Sequence, residues 1–182
     1  MLRSLEEAWV LFRIGTAEGF KTRTPFEGQR FPVAQFERFA QSFVPRWLGT
    51  THLHVDALCA VLERTGPAIV VCHSQGGEIT FDAQARAGHL MEHIIALEPS
   101  GFPDQAADFQ DTALTLCAGD NLDQDPQWRS RNAAWAKLGS ISPRAKFLHS
   151  SDFGRGNSHM LMMDDNSEDI FGIVLEQLTG RT

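Results

Sequence analysis

Residues 67–77 run Pro67-Ala68-Ile69-Val70-Val71-Cys72-His73-Ser74-Gln75-Gly76-Gly77, an apolar, β-branched stretch ending in small-x-Ser-x-Gly. This segment constrains the fold more than any other. The residues before His73 predict a buried strand by length and by Val/Ile content. Gln75 to Ala87, with Ile79, Phe81 and Ala83, predicts a helix that stops at Gly88. A strand that turns into a helix with no loop between them demands small residues two before and two after the serine. Cys72 and Gly76 meet that demand, and Gly77 relaxes it. Such a turn lifts the serine hydroxyl above the sheet and sets the backbone N–H of Gln75 beside it. An ordinary βα turn that happens to contain a serine has the same outline, so the partners of Ser74 must be sought elsewhere in the chain.

From residue 67 onward short apolar runs alternate with helical segments: strands 67–72, 93–97, 112–118 and 145–149, and helices 75–87, 125–138 and 166–178. That rhythm predicts an α/β fold built on a parallel sheet of about four strands with flanking helices. Upstream, helices are expected over 32–47, with Phe36, Phe39 and Phe43 at helical spacing, and over 51–64, with Thr51 as its cap. Residues 1–31 hold some apolar material, then a Gly/Thr/Pro-rich stretch, and predict no element. At 182 residues the chain is one domain's worth. A formal charge of −7 argues against a nucleic-acid or anionic-membrane surface. Nothing approaches 18 consecutive apolar residues, so no membrane span is expected. The start, Met1-Leu2-Arg3-Ser4-Leu5-Glu6-Glu7, is acidic where a signal peptide needs an apolar core. As written, the chain is expected in the cytoplasm; an upstream segment would reopen secretion. Cys59, Cys72 and Cys117 fit neither metal nor redox spacing and read as buried small hydrophobes.

A serine hydroxyl is a poor nucleophile at neutral pH and needs a histidine base, itself oriented by a carboxylate. In an open parallel sheet those partners belong on loops after the carboxyl ends of later strands. His159, in Gly154-Arg155-Gly156-Asn157-Ser158-His159-Met160, meets both constraints. His52 and His54 precede the serine, and His73 belongs to the turn itself and is expected to point away from the serine's side. His89 and His93 lie at the wrong edge of the sheet, and His149 falls ten residues short of the glycine-bearing loop. For the acid, Glu98 and Asp120 each end a strand, and spacing does not separate them.

Cys72-His73-Ser74-Gln75-Gly76-Gly77, Ala96-Leu97-Glu98-Pro99, Gly119-Asp120-Asn121 and Gly156-Asn157-Ser158-His159-Met160, with Met163-Asp164 and Asn166, resemble the α/β-hydrolase fold. More narrowly they are similar to a bacterial and fungal esterase group typified by the Alcaligenes esterase. The resemblance covers residues 67 to 178 and, more loosely, 9–47. It implies that Glu98 is the acid, with Asp120 in a supporting place, and that His159 is the base. The implied chemistry is hydrolysis of a small-molecule carboxylic ester by Ser74 through an acyl-enzyme, with the Gln75 N–H in the oxyanion hole and neither metal nor organic cofactor. Trp9, Phe12 and Phe36 are candidates for an acyl pocket, though aromatics at such spacing more often form core.

One departure from the family is plain. No apolar strand ending in His-Gly precedes Ser74 to donate a second oxyanion N–H. The chain therefore reads as a single partial domain: residues 1–50 as cap or lead-in, and 51–182 as the serine turn and the C-terminal catalytic half. The edge of the strand over 67–72 is expected to be bare, which invites association, with a second copy as one partner. An alternative reading follows, in which the chain is a catalytically impaired remnant or a partner-binding domain of the same fold.

Overall fold

The apolar runs of the second half pair into a sheet of strands β1 (Ala68–His73), β2 (Met91–Leu97), β3 (Ala113–Ala118) and β4 (Ala145–His149), all parallel and in the order β1-β2-β3-β4. The computed structural model describes residues 3–45, 47–102, 109 and 111–179. Helices α1 (Leu5–Leu11), α2 (Ala17–Thr22), α3 (Phe36–Ala40) and α4 (Thr51–Thr65) precede the sheet. α5 (Gln75–Ala87), α6 (Pro126–Ile141), α7 (Ser150–Phe153) and α8 (Ser167–Thr179) connect and follow the strands. Register decides where the chemistry gathers. His73 lies level with Leu97, and Leu97 with Cys117, so Ser74, Glu98 and the Gly119-Asp120 turn all leave the sheet at one end.

Alternate residues of each strand serve two cores, as the period of two requires. On one face Ile94, Ala96, Leu114 and Leu116 pack against Val55, Cys59 and Leu62 of α4, Phe81 of α5, and Trp128 and Trp135 of α6. On the other, Ile95, Cys117 and Leu148 meet Ile170 and Val174 of α8 with Phe153 and Leu161. A third cluster joins Ala8, Trp9, Ile14, Phe31 and Phe36 under the N-terminal helices. The sheet is unevenly covered. Ile69 and Val71 of β1 remain 45% and 59% exposed, although Ile95, in register with Val71, is fully buried.

The strand and helix expectations from residue 67 onward hold within a few residues, and α4 lies where it was expected. Its N-cap, however, is Thr50, whose hydroxyl makes no capping bond and donates back to the Trp47 carbonyl, and the Thr51 hydroxyl donates to Glu78. The expected helix over 32–47 is mostly lost. A 3-10 turn over Val33–Gln35 leads into α3, which ends at Ala40, and Arg46 lies outside the described residues. The Ser42 hydroxyl takes the Phe39 carbonyl at 2.6 Å, the acceptor that Phe43 N–H would need. Phe43 bonds Ala40 in a tightened turn instead. In the other direction, α1 and α2 form where no element was expected. Ser4 and Glu7 close a reciprocal capping box, and the Thr16 hydroxyl accepts from Gly19 N–H. Cys59, Cys72 and Cys117 are free and buried. Among the described residues no helix is long and apolar enough to cross a membrane.

Candidate active site

Ser74 sits between β1 and α5 at φ 49° and ψ −118°, a conformation that side chains avoid and that a tight strand-to-helix turn enforces. The crowding that enforces it falls one residue later than expected. A Cβ on Gly76 would stand 3.5 Å from the Cβ of Cys72, ordinary contact, whereas one on Gly77 would stand 2.4 Å from the Cβ of Pro99. α5 is thus pressed against the turn after β2, and Ser100 N–H donates to the Ser74 carbonyl at 2.9 Å. Gln75, the first residue of α5, has a backbone N–H with no partner inside the helix and lines the same cavity as Ser74.

The side chains of Ser74, His159 and Glu98 form a connected row. Ser74 Oγ lies 3.0 Å from His159 Nε2, and His159 Nδ1 lies 3.2 Å from Glu98 Oε2. Glu98 is fully buried, and its other oxygen accepts from the Arg13 guanidinium at 2.5 Å and from Gly119 N–H. Burial alone would raise the Glu98 pKa; Arg13 and the His159 ring outweigh it and bring it down to about 2. Burial also dominates at His159, lowering its pKa to about 4 against the pull of Glu98. A neutral ring facing an ionised carboxylate carries its proton on Nδ1, so Nε2 is left to accept from the serine hydroxyl.

Asp120 stands elsewhere. Its carboxylate accepts from Gly156 N–H at 3.0 Å and Asn121 N–H at 3.0 Å, and its carbonyl accepts from Arg13 Nε. It props the histidine loop rather than touching the ring. That loop is built from within by Asp164, which accepts from Ser158 N–H, Ser158 Oγ and Asn157 Nδ2 at 2.7–3.0 Å. Gly119 lies beneath it, where a Cβ would meet the carbonyls of Asn157 and Ser158 at 2.7 and 2.6 Å.

Three further features escaped the sequence reading. Arg13 is 1% exposed and binds Glu98 across 85 residues, a pairing no local spacing announces. His73 does not point away: its ring lies 4.7 Å from that of His159, and its Nε2 is 2.9 Å from the His159 carbonyl. Trp128 of α6 lies 4.9 Å from the His159 ring. The candidate pocket aromatics divide. Trp9 and Phe36 are buried core, whereas Phe12 stacks on His159 at 5.5 Å and lines the cavity. The other histidines lie apart, with His52 and His54 exposed on α4 and His93 bonded to Thr115.

A cavity of about 430 Å³ opens beside Ser74, walled by Leu11, Phe12, Phe43 and Trp128. A solved structure of a bacterial esterase superposes on the whole of this chain with a TM-score of 0.88 at 24% identity. The chain has the α/β-hydrolase fold. A second solved structure, a predicted CIB-like hydrolase from Thermoplasma acidophilum, matches 71% of the chain and 60% of its own length at a TM-score of 0.54 and 14% identity. The chain spans 59% of the length of the bacterial esterase. No family model and no curated protein matches the sequence.

Proposed function

We propose that the chain carries the catalytic centre of a serine hydrolase acting on carboxylic esters. The observation that carries this reading is the unbroken row from Ser74 Oγ through His159 to Glu98 at 3.0 and 3.2 Å, set in a strained strand-to-helix turn. The likeness to a bacterial esterase in fold supports it. In this reading Ser74 Oγ attacks the acyl carbon while His159 Nε2 takes its proton. The Gln75 N–H faces the developing oxyanion, and His159 returns the proton to the departing alkoxide. Water, activated by the same nitrogen, then releases the acid from the acyl-enzyme. Glu98 holds the imidazole in the required tautomer and stabilises the imidazolium, and Arg13 holds Glu98 ionised. A fluorophosphonate probe tests the reading: Ser74 is labelled in the folded chain, and Ser74→Ala is not. An unlabelled serine in a well-folded sample removes the proposal.

A second reading has its own support. The exposed β1 face, with Ile69 and Val71 turned outward, favours a chain that works together with another polypeptide laid along β1. One oxyanion donor is typically worth about 10²–10³ in rate, so a second donor brought by that partner would raise turnover by that order. Steady-state hydrolysis that rises on mixing with a strand-donating partner, or with protein concentration, distinguishes the two.

A further inference from the structure

The cavity beside Ser74 has a charge of its own. Arg3, just ahead of α1, and Arg131, one turn after Trp128 on α6, both line it, and no aspartate or glutamate does so among the described residues. Among the described residues neither arginine has a carboxylate within ion-pair distance. Arg131 is half-buried, its guanidinium carbon 4.6 Å from the centre of the Trp128 ring, which in turn lies against His159. The carboxylates whose field reaches Arg131 are occupied: Glu98 by Arg13, Gly119 and His159, and Asp125 by the N–H groups of Gln127 and Trp128. Burial, and then the positive charges of Arg13 and Arg3, lower the Arg131 pKa, while Glu98 and Asp125 oppose this. A chain of net charge −7 thus gathers two cations around one apolar cavity with no carboxylate beside them among the described residues. Bringing like charges together without a counter-ion is unfavourable unless an anion joins them.

We propose that this cavity selects esters that also carry a carboxylate, the apolar walls holding the carbon chain and Arg131 with Arg3 holding the anionic group. The reaction consumed would then be that of a hemiester of a dicarboxylic acid. This assignment of substrate class rests on the reading of Ser74 as nucleophile, but its cationic half can be tested separately.

Mono-p-nitrophenyl glutarate and its methyl ester have the same acyl chain and differ in one charge. The monoanion is expected to be hydrolysed with a kcat/KM about tenfold higher, as a charge-assisted bond at a half-exposed site allows. The advantage shrinks with added salt, falls in Arg131→Gln and Arg3→Gln, and is partly kept in Arg131→Lys. A merely structural role for Arg131 would move both esters together and leave their ratio alone. Equal rates for the two esters, or a ratio unmoved by both Gln variants, overturns the proposal. Binding is read in Ser74→Ala by tryptophan fluorescence, with monomethyl glutarate against dimethyl glutarate. Saturable binding of the monoanion alone, lost in Arg131→Gln, with no turnover of either ester by the unmodified chain, keeps the cationic site and sinks the nucleophile reading. No preference for the monoanion in that titration sinks the cationic site.

Discussion

At the scale of single residues, the buried ion pair is the feature with the largest consequences. Arg13 and Glu98 are 1% and 0% exposed, and removing one partner strands the other's charge away from water. Glu98→Gln is expected to lower kcat by about 10³–10⁴, as loss of the tautomer-fixing carboxylate does elsewhere. It should also destabilise the fold by about 3–5 kcal/mol, because Arg13 is left unpaired. Asp120→Asn should cost far less activity, since Asp120 holds Gly156 rather than the ring. Ester hydrolysis by the two variants, alongside their urea midpoints, checks the pair, and the reverse order of effects would reassign the acid.

The same residues set a pH profile. The His159 pKa lies well below the ordinary 6.5, at about 4, so the ring remains a base through pH 5–6 and hydrolysis should persist there. Stability carries the same sign. Between pH 6.5 and 4 the unfolded chain takes up a proton at this position that the folded chain refuses, so stability present above pH 6.5 is lost as pH falls toward 4. Glu98 adds a second loss between its ordinary 4.5 and about 2. Thermal midpoints against pH should flatten over the upper window in His159→Gln. An unchanged slope there would mean that the buried ring does not govern it.

Among the elements, the contact between α5 and the turn after β2 ties the helix that follows Ser74 to the strand that ends at Glu98. Gly77→Ala pushes a methyl into Pro99, which follows Glu98 directly. Overpacking of this kind costs about 1–3 kcal/mol. Here it should also shift Glu98, so the expected loss of fluorophosphonate labelling exceeds what the fall in melting temperature explains. Gly76→Ala, facing an ordinary 3.5 Å contact, should be mild by comparison. The two helices ahead of residue 31 show how local signals compete. Ser4-Leu5-Glu6-Glu7 is a capping-box pattern in plain view, yet the apolar periodicity after it is too short to mark a helix. Over 32–47 the periodicity was present and misled, because the phenylalanines pack on one another and on Phe12 while Ser42 breaks the backbone ladder.

For the whole molecule, residues between Arg3 and Pro45 supply part of the site's walls. Phe12 carbonyl accepts from His159 N–H at 3.0 Å, and the backbone of Arg30 pairs with that of Gly156. Opposite them, β1 presents apolar Ile69 and Val71 outward, a face suited to strand or helix addition. Val71→Lys places a charge there and is expected to weaken concentration-dependent association in sedimentation experiments without lowering the melting temperature. Association that is indifferent to Val71→Lys would move the contact elsewhere.

The placement of Ser74, Gln75, Glu98 and His159 as candidates was legible because strand ends, a tight turn and a glycine-bearing loop are written in short stretches of sequence. So were the strands themselves, since each apolar run is bounded by its own turn residues, whereas their order in the sheet came from the structure. The choice of Glu98 over Asp120 was different: both end a strand, and only the register of β2 against β3 and the path of the 154–159 loop bring one carboxylate to the ring. Arg13, His73, Trp128 and the meeting of Arg3 and Arg131 at the cavity were likewise decided by tertiary structure alone. Their partners lie tens of residues away, and Coulomb and packing energies depend on distance in space, which spacing along the chain does not encode.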